Sequence, residues 1–248
     1  MKSFLILLLF WLNLSGFVCA NDHKIIPVTK DIQLIEIATG LYIHQSFTHT
    51  ETGSFSSNGL LVIKNGKALM IDTPMTIEET KIIDQFVNDS LQATIQLFIG
   101  GHYHNDCIGG IDYLKTIGAH TILGALTKEK CVEFNLPLPH QTFEKELHFT
   151  FEEIPVECFY PGAGHSIDNI VVYFPDQGIL YGGCLVKSTD SRGMGNLADA
   201  VPLVWGNTIQ NVMTAYPEVK CVIPGHGNHG GLELLSHTLE LTQQYFKP

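Results

Sequence analysis

Gly101-His102-Tyr103-His104-Asn105-Asp106-Cys107 follows directly on an apolar run at residues 95–99, and the reading of the whole chain turns on it. On an extended segment, positions 102, 104 and 106 project to one side, whereas on a helix they would fan around the axis. Two imidazoles and a carboxylate are ligands of zinc type. Gly100, Gly101, Gly109 and Gly110 bracket the segment and allow a tight backbone path around a site. A lone His-x-His would be read as a surface loop carrying two histidines by chance. Three further segments argue against that: Pro161-Gly162-Ala163-Gly164-His165, Gly182-Gly183-Cys184 and Pro224-Gly225-His226-Gly227. Each sets one good ligand beside glycine at the end of a predicted strand or just before one, where α/β folds assemble their sites.

Outward from these segments, short apolar runs bounded by turn residues predict strands at 32–37, 41–45, 60–63 and 68–71, with Asn65-Gly66 as a two-residue hairpin between the last two. Residues 76–88 read as an amphipathic helix capped by Thr76, with Ile77, Ile82, Ile83, Phe86 and Val87 as its apolar positions. The second half repeats the theme, with strands near 147–151, 170–174, 179–181 and 221–223 and helices near 208–215 and 232–246. Two similar halves, each a sheet with helices on its outer face, predict an α/β four-layer αβ/βα sandwich. No Pro- or Gly-rich linker divides them, so residues 21–248 are expected to form one domain.

The first twenty residues differ from the rest. Lys2, an apolar run at 4–12 and Val18-Cys19-Ala20 have the layout of a secretory signal peptide cut after Ala20. The run is far shorter than the roughly 20 residues that span a bilayer, so no stable membrane insertion is expected. With Lys2 removed from the 14 basic residues, 13 face 25 acidic ones, a formal charge of −12 with histidines neutral. Such a surface excludes nucleic acid, which needs a basic stripe. Export favours disulfides, yet Cys107, Cys131, Cys158, Cys184 and Cys221 are odd in number, so at least one thiol stays unpaired and metal ligation explains it. Cys131, Cys158 and Cys221 read as small core residues.

With these motifs together, the chain resembles the metallo-β-lactamase superfamily, and within it the two-zinc β-lactamases with a cysteine ligand. The likeness runs from Ser57-Asn58-Gly59 and Ile71-Asp72-Thr73-Pro74 to the terminal helix, through Gly164-His165-Ser166-Ile167-Asp168-Asn169, Gly182–Lys187 and Gly195-Asn196-Leu197-Ala198-Asp199-Ala200. It implies that His102, His104 and His165 hold one Zn2+ and that Asp106, Cys184 and His226 hold a second. It implies further that a zinc-activated water opens the β-lactam ring of penicillins, cephalosporins and carbapenems, conferring antibiotic resistance. Asp106 would orient the nucleophile, Lys187 would pair with the substrate carboxylate, and Asn196 would polarise the lactam carbonyl. A periplasmic monomer is expected.

The sequence departs from the family pattern at Cys107, where arginine is frequent, so a positive charge beneath the second zinc is missing and a thiol stands there to oxidise or compete as a ligand. Met75 replaces a frequent aromatic, and a presumed flap at 47–56 has a polar tip. Two other functions compete. A glyoxalase II-like thioester hydrolase would carry histidine and a bridging aspartate where Cys107 and Cys184 stand. A non-catalytic secreted zinc-binding protein would leave Lys187 and Asn196 without a role. Serine catalysis is excluded by the lack of Ser-x-x-Lys and Gly-x-Ser-x-Gly. The Gly225-to-Gly230 match to a dinucleotide fingerprint has too little chain after it to complete the unit.

Overall fold

The computed structural model describes residues 23–51 and 53–246; the expected signal peptide lies outside them. The strands are β1 Lys24–Pro27, β2 Ile32–Ala38, β3 Leu41–Thr50, β4 Gly53–Lys64, β5 Lys67–Ile71, β6 Thr94–Gly100, β7 His120–Gly124, β8 Gln141–Phe143, β9 Glu146–Phe151, β10 Ile154–Phe159, β11 Val171–Phe174, β12 Ile179–Gly183 and β13 Cys221–Pro224. The helices are α1 Ile77–Asp89, α2 Asn105–Ile108, α3 Ile111–Thr116, α4 Ala125–Glu133, α5 Pro202–Ala215 and α6 Glu233–Tyr245. Strands β1 to β8 form one sheet in sequence order, antiparallel as far as β5 and parallel beyond it. The second sheet runs β13-β12-β11-β10-β9, with only β12 and β13 parallel.

The strands alternate between two apolar environments, which is why they read as near-continuous hydrophobic runs. Leu60, Val62, Leu69 and Ile71 meet Val172, Phe174, Ile179 and Ile223 between the sheets. Their neighbours Leu61, Met70 and Phe98 turn outward onto Ile83, Val87, Ile111 and Leu114. On the far side Val171, Leu180 and Val222 pack on Trp205, Ile209, Val212 and Leu235. Helix, sheet, sheet and helix therefore stack as the sequence predicts. No helix among the described residues is long and apolar enough to cross a membrane.

Local signals explain the elements found by sequence and those missed. Asn65 and Gly66 both have positive φ, 53° and 72°, as the tight hairpin requires. Thr76 caps α1 through a capping box with Glu79. Ile82, however, is 37% exposed: the inner face of α1 carries Thr80, Ile83, Asp84 and Val87 instead. The helix expected at 208–215 begins at Pro202, because proline at the first turn lacks only a donor that is unpaired there anyway. β7, β8 and helices α2 to α4 are short or mixed in pattern; β10 does alternate, with Ile154, Val156 and Cys158 inward, but Pro155 within it argues against a strand.

His44, expected at a surface or satisfied structural position, is buried. Its Nε2 lies 3.1 Å from the Asp72 carbonyl, and its Nδ1 has no partner. Burial, only partly opposed by that hydrogen bond, lowers its pKa from 6.5 to about 4. The folded chain therefore refuses a proton that the unfolded chain accepts, and stability falls as pH drops from 6.5 towards 4. The full loss is about 3 kcal/mol. Urea unfolding at pH 7 and pH 5 should show a smaller acid penalty in His44→Gln than in wild type; equal penalties would remove His44 as the cause.

Candidate metal centre

All six expected ligands reach one rim of the sandwich. His102 and His104 follow β6, His165 lies between β10 and β11, Cys184 directly follows β12, and His226 follows β13. The HxHxD segment is not extended throughout: His104 caps a short helix, and Asp106 sits in the first turn of α2. The backbone coils there because the Cys107 and Ile108 amides return to the His104 carbonyl, both at 3.0 Å. None of Gly100, Gly101, Gly109 and Gly110 has positive φ. They supply room: a Cβ on Gly109 would stand 2.4 Å from the Met75 carbonyl oxygen.

His102, His104 and His165 place ring nitrogens within 4.8 Å of one another. Hydrogen bonding sets their tautomers. The Cys107 thiol donates to Asp72 Oδ2 at 3.0 Å, so its sulfur receives the His102 Nδ1–H at 3.0 Å and His102 Nε2 keeps a lone pair. His104 Nε2–H donates to Asp199 Oδ2 at 3.0 Å, leaving the Nδ1 lone pair 2.9 Å from His102 Nε2. Two acceptors face each other there, an arrangement that a cation relieves. His165 is buried with both ring nitrogens unpartnered. Burial holds it neutral, far below the usual histidine range. A neutral, otherwise orphaned imidazole fits a metal ligand.

The second trio is equally close. Cys184 Sγ lies 3.3 Å from His226 Nε2 and 3.6 Å from Asp106 Oδ2, and His226 Nε2 is 3.3 Å from that oxygen. His226 Nδ1 donates to the Ser56 carbonyl at 2.7 Å, which turns Nε2 inward. Cys184 is held well below the ordinary thiol pKa, first by the adjacent Cys107 side chain and then, against burial, by His226. Burial raises Cys107 well above it. The donor set of carboxylate, thiolate and imidazole suits zinc.

Lys187 is not a solvated surface lysine: it is 8% exposed, with Nζ 5.2 Å from the Trp205 ring centre. Asn196 is exposed on the pocket wall, and its Oδ1 accepts the Ala198 N–H at 3.0 Å, which is turn chemistry. Phe55, on the expected flap, faces His226 edge-on at 6.0 Å between ring centres. With Met75, His104, Asp106, His165, Lys187 and His226 it lines an open pocket of about 650 Å³. Cys131 and Cys158 are buried free thiols, whereas Cys221, buried between the sheets, is disulfide-bonded rather than the plain core residue the sequence suggests.

Several supporting contacts leave no local sequence signal, although their residues lie within the motifs described above. Asp199 fixes His104, and Asp168 Oδ2 accepts the Tyr103 N–H at 3.0 Å. Asp72, at φ 56°, accepts from Gly101, Cys107 and Tyr181, and burial still raises its pKa to about 6. Asn58 Nδ2 donates to the carbonyls of Pro224 and Gly227 at 2.9 and 2.8 Å, clamping the loop that carries His226. Asn58→Ala should therefore weaken zinc at the Asp106, Cys184 and His226 trio by about 10–100-fold in chelator competition. Unchanged affinity would deny Asn58 this role.

Comparison with known proteins places this geometry. The family model described as the metallo-beta-lactamase superfamily matches residues 52–226. Similar curated proteins include the metallo-beta-lactamase type 2 of Bacteroides fragilis, 36% identical over 231 residues that cover 93% of each chain. Another is the metallo-beta-lactamase type 2 of Bacillus cereus, 34% identical over 89% of this chain and 86% of that one. Among solved structures, a metallo-beta-lactamase from Pontibacter korlensis superposes with a TM-score of 0.83 at 34% identity, covering 86% of this chain and 99% of its own.

Proposed function

Because the chain belongs to the metallo-β-lactamase superfamily, we propose that it is a type 2 metallo-β-lactamase in which each of the two ligand trios holds one zinc ion. The observation that carries the reading is the clustering of His102, His104 and His165 beside Asp106, Cys184 and His226, four of them lining one pocket, with both nitrogens of buried His165 unpartnered. Bound zinc supplies Lewis acidity that brings the ionisation of water towards pH 7.

The residues of the chain do the rest. Lys187 holds the substrate carboxylate, which sets the lactam carbonyl over the two trios. Asp106, on the first turn of α2, orients the attacking water with one carboxylate oxygen. Water adds to the carbonyl carbon, the C–N bond breaks, and the nitrogen leaves with a proton. Asn196 stands on the wall facing the carbonyl, and Phe55 and Met75 exclude water from the apolar side of the substrate. Opening the ring removes the acylating power of the antibiotic and so confers resistance on the cell. Processing after Ala20 would release residues 21–248 as one domain to the periplasm, where the protein acts as a monomer; the layout of residues 2–20 supports export.

Purified protein is expected to hydrolyse a chromogenic cephalosporin, to lose that activity to a chelator and to regain it with zinc. No turnover in the fully zinc-loaded protein would overturn the assignment.

A further inference from the structure

Cys107 is used by neither trio as a ligand, yet its sulfur belongs to a cluster of its own. The ligand atoms of His102, Asp106, Cys107 and Cys184 all lie within 4.8 Å of one another. Both cysteines are free and buried, at 1% and 3% exposure. Two sulfurs at such a separation can share a single ion, since two metal–sulfur bonds of about 2.3 Å at a tetrahedral centre put them just under 4 Å apart. Soft thiolate pairs favour soft cations over harder ones. We propose that Asp106, Cys107 and Cys184 form an alternative, two-thiolate site for a soft d10 cation, overlapping the second zinc position and taken up when such a cation replaces zinc.

The exchange balances without an oxidant. The Cys107 S–H bond breaks, a sulfur–metal bond forms, and the proton passes to the Asp72 carboxylate, whose Oδ2 already accepts it at 3.0 Å. With zinc, Cys107 keeps its proton and serves as a hydrogen-bond donor. With the softer ion it fills the fourth coordination position from the buried side, and a catalytic centre that needs an open position becomes a closed one. His102 remains with His104 and His165, because its Nε2 faces that trio while its Nδ1 faces Cys107.

The inference rests on the assignment of Asp106, Cys184 and His226 to the second centre, and the test separates the two. Zinc-loaded protein is titrated with cadmium(II), reading the sulfur-to-cadmium charge-transfer absorption per ion bound. Wild type should show two thiolates per ion, and Cys107→Ser about half the signal. The preference for cadmium over zinc should fall at least about tenfold in that variant, the scale on which lost ligand-shell contacts weaken a metal. Full signal in Cys107→Ser with none in Cys184→Ser would overturn the proposal and leave the second centre standing. Full signal in both variants would overturn both. Should Cys107→Ser fail to fold, the cadmium-113 resonance of wild type decides: a position typical of two sulfur ligands supports the proposal, and a one-sulfur position rejects it.

Discussion

Cys184→Ser is expected to leave one tightly held zinc per chain instead of two and to lower kcat/KM for a cephalosporin about 10²–10³-fold, about 3–4 kcal/mol of transition-state stabilisation. The size follows from what the sulfur does. It lies 3.3 Å from His226 Nε2 and 3.6 Å from Asp106 Oδ2, and Cys107 and His226 hold it as a thiolate despite burial. A serine hydroxyl in its place stays protonated, brings no charge and reaches less far. The three-histidine trio does not depend on it, since its ring nitrogens are oriented by Cys107, Asp199 and the fold around His165. Metal analysis after dialysis, run beside kinetics with a penicillin, a cephalosporin and a carbapenem, checks both halves. Two retained zincs with full turnover would show that Cys184 is not a ligand.

Lys187→Ala should raise KM about 10–100-fold, the worth of one charge-assisted hydrogen bond of about 1.5–3 kcal/mol, and change kcat far less. The amine is positioned in advance: burial pulls its pKa down, Cys184 and Asp106 pull the other way, and Trp205 lies under it. Zinc content should be unchanged, because Lys187 coordinates nothing. Comparing a substrate with its neutral carboxyl ester isolates the contact. Wild type should favour the free acid and the variant should not; an equal rise in KM for acid and ester would place Lys187 outside substrate binding.

Much of this protein was legible before any coordinates. The four layers follow from runs such as residues 60–63 and 170–174, whose alternate side chains must be buried on opposite faces. The candidate ligands were legible because His and Cys beside glycine at strand ends, and an Asp spaced two residues after His-x-His, have few other physical explanations. What stayed hidden was long-range or conformational. Asp199 reaches His104 across 95 residues, and Asn58 clamps a loop 166 residues away. No local pattern records either pairing. The coil that puts Asp106 on a helical turn looks extended in sequence, because alternate residues on a strand and an N-cap followed by one turn can aim the same three side chains together.

The sequence by itself determined the layer order and singled out the six candidate ligands, since these depend on periodicity and residue type; their division into two trios is what the resemblance to the family implies. Only the tertiary structure decided which ring nitrogen of each histidine faces the site, how deeply Lys187 is buried, and that the Cys107 sulfur stands among Asp72, His102 and Cys184. Those facts arise where segments far apart in the chain close on one another. There burial strips away water and leaves neighbouring groups to set the tautomers and charges.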